Sequence, residues 1–252
     1  MKHTVTTLIS VVLVLPFGIP AVYAGLSDYV DDVTKSMSGS GGSEAAAALS
    51  NDEMIAGLKE ALDKGTQFAV DKLGKDGGFL NNKKVRIPMP DSLSWVEKSL
   101  RTVGQDELAD EFVATMNHAA EQAVPEAAEV FGDAIQKMSV EDATDILNGP
   151  DDAATQYFRT NTEAELTDRM RPIVEQATAN TGVTSAYKNM TAQAGGMTSL
   201  LSTDVTDLDG YVTGKTLDGL FLMIAKEEKR IRENPIGRGS ELMQKVFGAY
   251  TK

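Results

Sequence analysis

Few residues in this chain could do chemistry, and His118 is the first to weigh. It is one of two histidines in 252 residues. With Glu111 and Glu121 it falls at spacings that return to neighbouring faces of a helix. His118 and Glu121 would offer a nitrogen and an oxygen to a divalent cation. Carboxylate-bridged di-metal bundles need two Glu-x-x-His pairs on different helices. Here there is one pair, in reversed order, so the simpler expectation is a half-exposed helix face and no metal. Asp207, Asp209 and Gly210 echo a calcium loop. In the register that puts Gly210 at loop position six, Val205 and Thr216 stand where carboxylates belong. Asp207 is therefore expected to be a helix cap. The run KEEKRIREN mixes Lys226, Lys229, Arg230 and Arg232 with Glu227, Glu228 and Glu233, as a solvated face with i,i+4 pairs does; an anion or protein contact is the sharper reading. Arg86 stands between Val85 and Ile87 in a proline-bounded loop, where an arginine pairs with a carboxylate or binds an anion.

Composition narrows the chemistry further. There is no cysteine, which removes disulfides, thiol catalysis, thiolate metal sites and a lipidated N-terminal cysteine. A Ser-His-Asp triad would have to use His118, and no nucleophile-elbow pattern accompanies it. No cofactor signature is present. Acids outnumber bases, 37 to 24. Such a surface repels nucleic acid and anionic lipid at long range.

The elements that must position these residues read as helices almost throughout. Residues 1–24 read as a secretory signal peptide, with Lys2 and His3 ahead of the apolar stretch 8–22 and small residues Val22 and Ala24 before a cut. That stretch is 15 residues long and is interrupted by Pro16 and Pro20; a membrane span needs about 20. Cleavage would take one lysine and no acid, moving the formal charge from −13 to −14. Residues 25–49 read as a flexible Gly/Ser/Ala-rich arm. Residues 50–252 read as one all-helical domain.

Ser50 with Glu53 makes a capping box, and Gly74 stops the first helix. Residues 75–90 break the pattern with glycines, asparagines, Pro88 and Pro90; Phe79, Leu80, Val85 and Ile87 should order this loop, and 84–89 alone has a strand-like alternation. Further helices are expected from Asp91 or Ser92 to Gly104, over 106–123, and after Pro125. Another starts at Ser139 with Asp142 and closes at Asn148-Gly149. Asp151 begins one more, Thr162 with Glu165 another running to about Asn180 with Pro172 inside it, and Val183 to Ala194 another. Asp207 caps a long helix to Asn234, and a last one spans 241–247. The fold class is all-α, with seven to ten helices. LDGLFLMIA, residues 217–225, is apolar on nearly all sides. Such a helix is central in a core or lines a greasy cavity, and the 11 methionines suit either.

The strings GFLNNKKVRIPMP, MNHAAEQAVPEA, DATDILNGPDDAATQYFR, DLDGYVTGKTLDGLFLMIAKEEKRIRENP and LMQKVFG, in this order and spacing, resemble a bacterial family known as domain of unknown function 4197. The resemblance covers roughly residues 50–248. It implies an exported, all-helical protein of a Gram-negative periplasm and confers no activity. Positions that match its pattern are Gly78, Phe79, Arg86, Pro88, Pro90, Asn117, Glu121, Pro125, Asn148, Gly149, Tyr157, Phe158, Arg159, Tyr211, Asp218, Glu228 and Pro235. Among these, Arg86, Asn117, Tyr157 and Arg159 are the residues expected to bind an anion, if one polar cleft gathers them. The function expected is a non-enzymatic periplasmic binding protein for a partner protein or small ligand. The alternatives are a carrier of a lipophilic molecule and a carboxylate-based hydrolase of cell-envelope glycans. No nucleic-acid partner and no membrane span after cleavage are expected.

Overall fold

The computed structural model describes residues 49–179, Gly182, Thr184, Ser185, Tyr187, and residues 207–234 and 239–250. Within them lie eight α-helices and no strand: α1 (Asn51–Leu73), α2 (Ser94–Thr102), α3 (Asp106–Ala123), α4 (Ala127–Lys137), α5 (Val140–Asn148), α6 (Ala153–Ala179), α7 (Leu208–Glu233) and α8 (Glu241–Tyr250). Short 3₁₀ turns precede α2 and bridge α3 to α4. All belong to one unit, Gly42–Lys252. The proposed signal peptide, nearly all of the arm and the helix expected over 183–194 lie outside the described residues, apart from isolated positions.

Local chemistry sets most boundaries. At Ser50 and Ser139 the hydroxyl accepts the backbone N–H of Glu53 (3.2 Å) and Asp142 (3.1 Å), and each carboxylate reaches back to the cap. Two orphan groups are satisfied at each end. Asp207 caps α7 by accepting Gly210 N–H at 2.9 Å, as expected. Gly104 ends the α2 segment with φ +75°, a conformation that favours glycine.

One helix boundary is corrected: Thr162 does not begin a helix. It is 2 % exposed in the interior of α6 and donates its hydroxyl to Phe158 O at 2.7 Å. Nothing between Asp151 and Pro172 breaks the apolar stripe Phe158, Leu166, Met170, Val174. The two segments therefore fuse into one helix of 27 residues, which continues through Pro172.

α7 is the central helix. It packs most extensively on α6, then on α1, and also meets α3. Leu217, Leu220, Phe221, Met223 and Ile224 are all buried, whereas Leu222 is exposed, so one face of the apolar stretch is core and the other meets solvent. Phe131, Phe158 and Phe221 form an aromatic cluster with ring centroids 5.1 and 6.2 Å apart along the chain of contacts. No described helix is long and apolar enough to cross a membrane.

Candidate functional site

The loop between α1 and α2 is held from beneath by two side chains of α3. Asn117 is fully buried. Its amide oxygen accepts Ile87 N–H at 2.8 Å, and its amide nitrogen donates to Ile87 O (2.8 Å) and Val113 O (2.7 Å). Glu121 is 4 % exposed. Its carboxylate accepts backbone N–H groups of Gly77 (3.2 Å), Phe79 (2.8 Å) and Leu80 (3.0 Å). These buried groups of an irregular segment need partners, and one turn of α3 supplies them. Phe79 then drives fully into the core beside Gly219, where a side chain on α7 would meet its ring. Gly77 has φ +74°, and a Cβ at Gly78 would strike the carbonyl of Leu73. The loop can follow this path only with glycine at both positions.

This clamped loop carries one wall of an open pocket of about 630 Å³. Lys72 from the last turn of α1, Lys75, Lys83 and Lys84 from the loop, and Lys226 and Arg230 from α7 line it. Met223, Lys226, Glu227 and Arg230 follow helical spacing, so α7 turns one face to it. Lys83 and Lys84 sit on a turn set by the Asn82 side chain, whose oxygen accepts Lys84 N–H at 3.2 Å. Phe68, 37 % exposed, floors the space, with Lys72 Nζ and the Arg230 guanidinium 5.3 and 5.2 Å from its ring centre. The only lining carboxylate, Glu227, is hydrogen-bonded to Arg230. Lys72, Lys75, Lys83, Lys84 and Lys226 make no ion pair among the described residues. Burial first, and then the charges of Lys84 and Lys72, push the Lys226 ammonium below the ordinary lysine pKa. The α1 dipole accounts for Lys72, but not for five lysines left facing one another.

The four residues expected to form an anion cleft are not brought together there, and none of them lines this pocket. Arg86 is exposed and makes no ion pair among the described residues, so the expected carboxylate partner is missing. Asn117 is spent on the loop. Tyr157 is half-buried against Phe158, its hydroxyl directed at Ala134 O at 3.5 Å, and burial raises its pKa. Arg159 spans Glu163 and Asp218, both at 3.1 Å, and lies 4.6 Å over the Phe221 ring. It ties α6 to α7.

Sequence reasoning missed the grouping of the lysines, although Lys226 and Arg230 had been marked as a possible anion contact. It also missed what Glu228 does. This carboxylate, 7 % exposed, accepts Ala154 N–H (2.9 Å), Thr155 N–H (3.0 Å) and the Thr155 hydroxyl (2.9 Å) at the start of α6. Arg232 pairs with it at 2.9 Å and donates to Ile146 O at 2.7 Å at the end of α5. One ion pair from α7 thus caps two helices. Beside it lies a partly open space of about 20 Å³, room for about one water.

A third cavity, about 510 Å³, opens near Leu147, Asp151, Glu233, Phe247 and Tyr250. Lys229 bridges its two carboxylates, at 3.5 Å to Asp151 and 3.8 Å to Glu233. For a metal, the described residues bring together Asp76, His118 and Glu121, each offering one ligand atom within 4.8 Å of the others. Glu121 is buried, not on the exposed helix face expected for it.

No curated protein and no solved structure matches the chain. A family model described as protein of unknown function (DUF4197) matches residues 48–248. That span takes in every helix described above, from the Ser50 cap to within α8, and the chain belongs to this family.

Proposed function

We propose that the protein is an exported, non-enzymatic binding protein that takes a multiply charged anion in the lysine-lined pocket. One observation carries the reading: in a chain with 37 acids and 24 bases, five lysines line one pocket with no carboxylate partner among the described residues. Clustered ammonium groups repel one another, so the arrangement costs the unliganded fold. An anion relieves that repulsion and gains charge-assisted hydrogen bonds. Export to the periplasm is supported by the charged start, short apolar stretch and small-residue cut of residues 1–24.

Other readings find less support. A lipophilic cargo needs an apolar cavity, and the partly open apolar space among the described core residues holds about 20 Å³. Glycan hydrolysis needs two carboxylates with contrasting environments. Asp151 and Glu233 share one lysine and are both mostly exposed, 68 % and 65 %.

The test is calorimetric titration of the exported chain with orthophosphate and tripolyphosphate. Tripolyphosphate should bind more tightly, and the Lys83→Gln, Lys84→Gln, Lys226→Gln triple variant should lose it while keeping its helical circular dichroism. Equal heats from the triple variant would sink the reading. Osmotic-shock fractionation of cells checks the compartment separately.

A further inference from the structure

We propose a second, independent site: Asp76, His118 and Glu121 bind a divalent transition-metal cation. Two carboxylate oxygens converge on one imidazole nitrogen. His118 Nδ1 lies 2.9 Å from Glu121 Oε2 and 3.6 Å from Asp76 Oδ1. Ligand atoms held at about 2.0–2.1 Å in a tetrahedral zinc site lie about 3.4 Å apart, so the two spacings from His118 need only small adjustment. As carboxylates, Asp76 and Glu121 set two negative charges on that nitrogen. A proton on the ring offsets one of them; a divalent cation offsets both. One imidazole and two carboxylates suit zinc and its neighbours better than magnesium or calcium, which prefer all-oxygen shells.

The support is graded as a metal site requires. Glu121 is fixed: it is 4 % exposed and its three backbone N–H partners orient the carboxylate, as outer-shell bonds do for metal ligands. His118 is fixed by α3. Asp76, 94 % exposed, stands at the solvent edge, where a cation would enter and water would complete the shell. The sequence showed only the reversed His-Glu pair on α3. The third ligand comes from the α1–α2 loop, more than 40 residues away, and Glu121 itself brings it there by binding Gly77. With a metal on Nδ1, the neutral imidazole carries its proton on Nε2. The site does not depend on an anion in the lysine pocket.

The experiment is zinc titration of the untagged chain, with magnesium as control, by calorimetry and by thermal unfolding. One zinc per chain should bind and raise the Tm. Asp76→Asn should weaken binding at least about tenfold and His118→Gln should abolish it. Asp76 is exposed, so its variant folds as the parent does. Two results overturn the proposal: no zinc uptake at 100 µM, or uptake unchanged in both variants.

Discussion

Lys226 is where the fold and the proposed function pull in opposite directions. Burial and two neighbouring lysines lower its pKa from the ordinary 10.5. The unfolded chain therefore binds this proton more tightly than the folded one, and unliganded stability rises with pH between the lowered value and 10.5. An anion needs the charged form, so affinity should fall as pH rises through the lowered value. Lys226→Gln should leave the unliganded Tm unchanged or slightly higher, within about 0.5 kcal/mol. It should weaken tripolyphosphate about two- to fivefold, as an exposed ion pair does. Calorimetry against pH and thermal melts read both; a variant that lost stability would show Lys226 to be structural. Asn117 behaves in the opposite way. Its three hydrogen bonds are buried, so Asn117→Leu leaves the Ile87 N–H and C=O unpaired at a cost of about 2–4 kcal/mol. Urea unfolding should show that loss, and tripolyphosphate affinity should fall only through the loop that Asn117 holds, because Asn117 itself does not line the pocket.

Between elements, the Glu228–Arg232 pair decides how α5, α6 and α7 meet. α5 ends and α6 begins within five residues, and both ends expose orphan backbone groups that α7 satisfies. Glu228→Gln keeps the shape but weakens charge-assisted bonds to Ala154 and Thr155 and strands Arg232. A loss of about 2–4 kcal/mol is expected, and adding Arg232→Met should cost less than the sum of the single changes. Denaturant titration of the cycle measures the coupling; strict additivity would mean that the two residues act separately. This junction marks the limit of what the sequence discloses. Ser50 with Glu53 and Ser139 with Asp142 are caps whose partners lie three residues off, so they were legible. Thr162 with Glu165 carries the same signature, yet packing of Phe158, Leu166 and Met170 on α7 and α3 overrides it. Glu228 and Glu121 cap or clamp segments 42 to 74 residues distant, and no local pattern announces that. The lysine pocket was hidden for the same reason: Lys72 with the loop lysines, and Lys226, come from two separated stretches, 72–84 and α7, each of which alone looks like a solvated surface.

For the whole molecule, charge is distributed against the pocket. The chain carries a formal −13, while the lysine pocket has a single lining acid, already paired. An approaching anion therefore meets net repulsion at a distance and attraction only near contact. Salt acts on the two differently. At about 0.01 M the screening length is about 30 Å and the whole acidic surface is felt; at about 0.15 M it is about 8 Å and only the pocket is. Raising salt over that range should leave the association rate for tripolyphosphate flat or increase it, because distant repulsion is screened first. The dissociation rate should rise, because each lysine contact weakens. Stopped-flow mixing separates the two rates. A steep fall of the association rate with salt is the mark of an electrostatically steered site, and would mean that the lysines dominate the long-range field despite the net charge. A flat association rate with a rising dissociation rate is what a small basic pocket in an acidic protein requires. Such a protein would hold polyanions that diffuse into the pocket and would not collect them from afar.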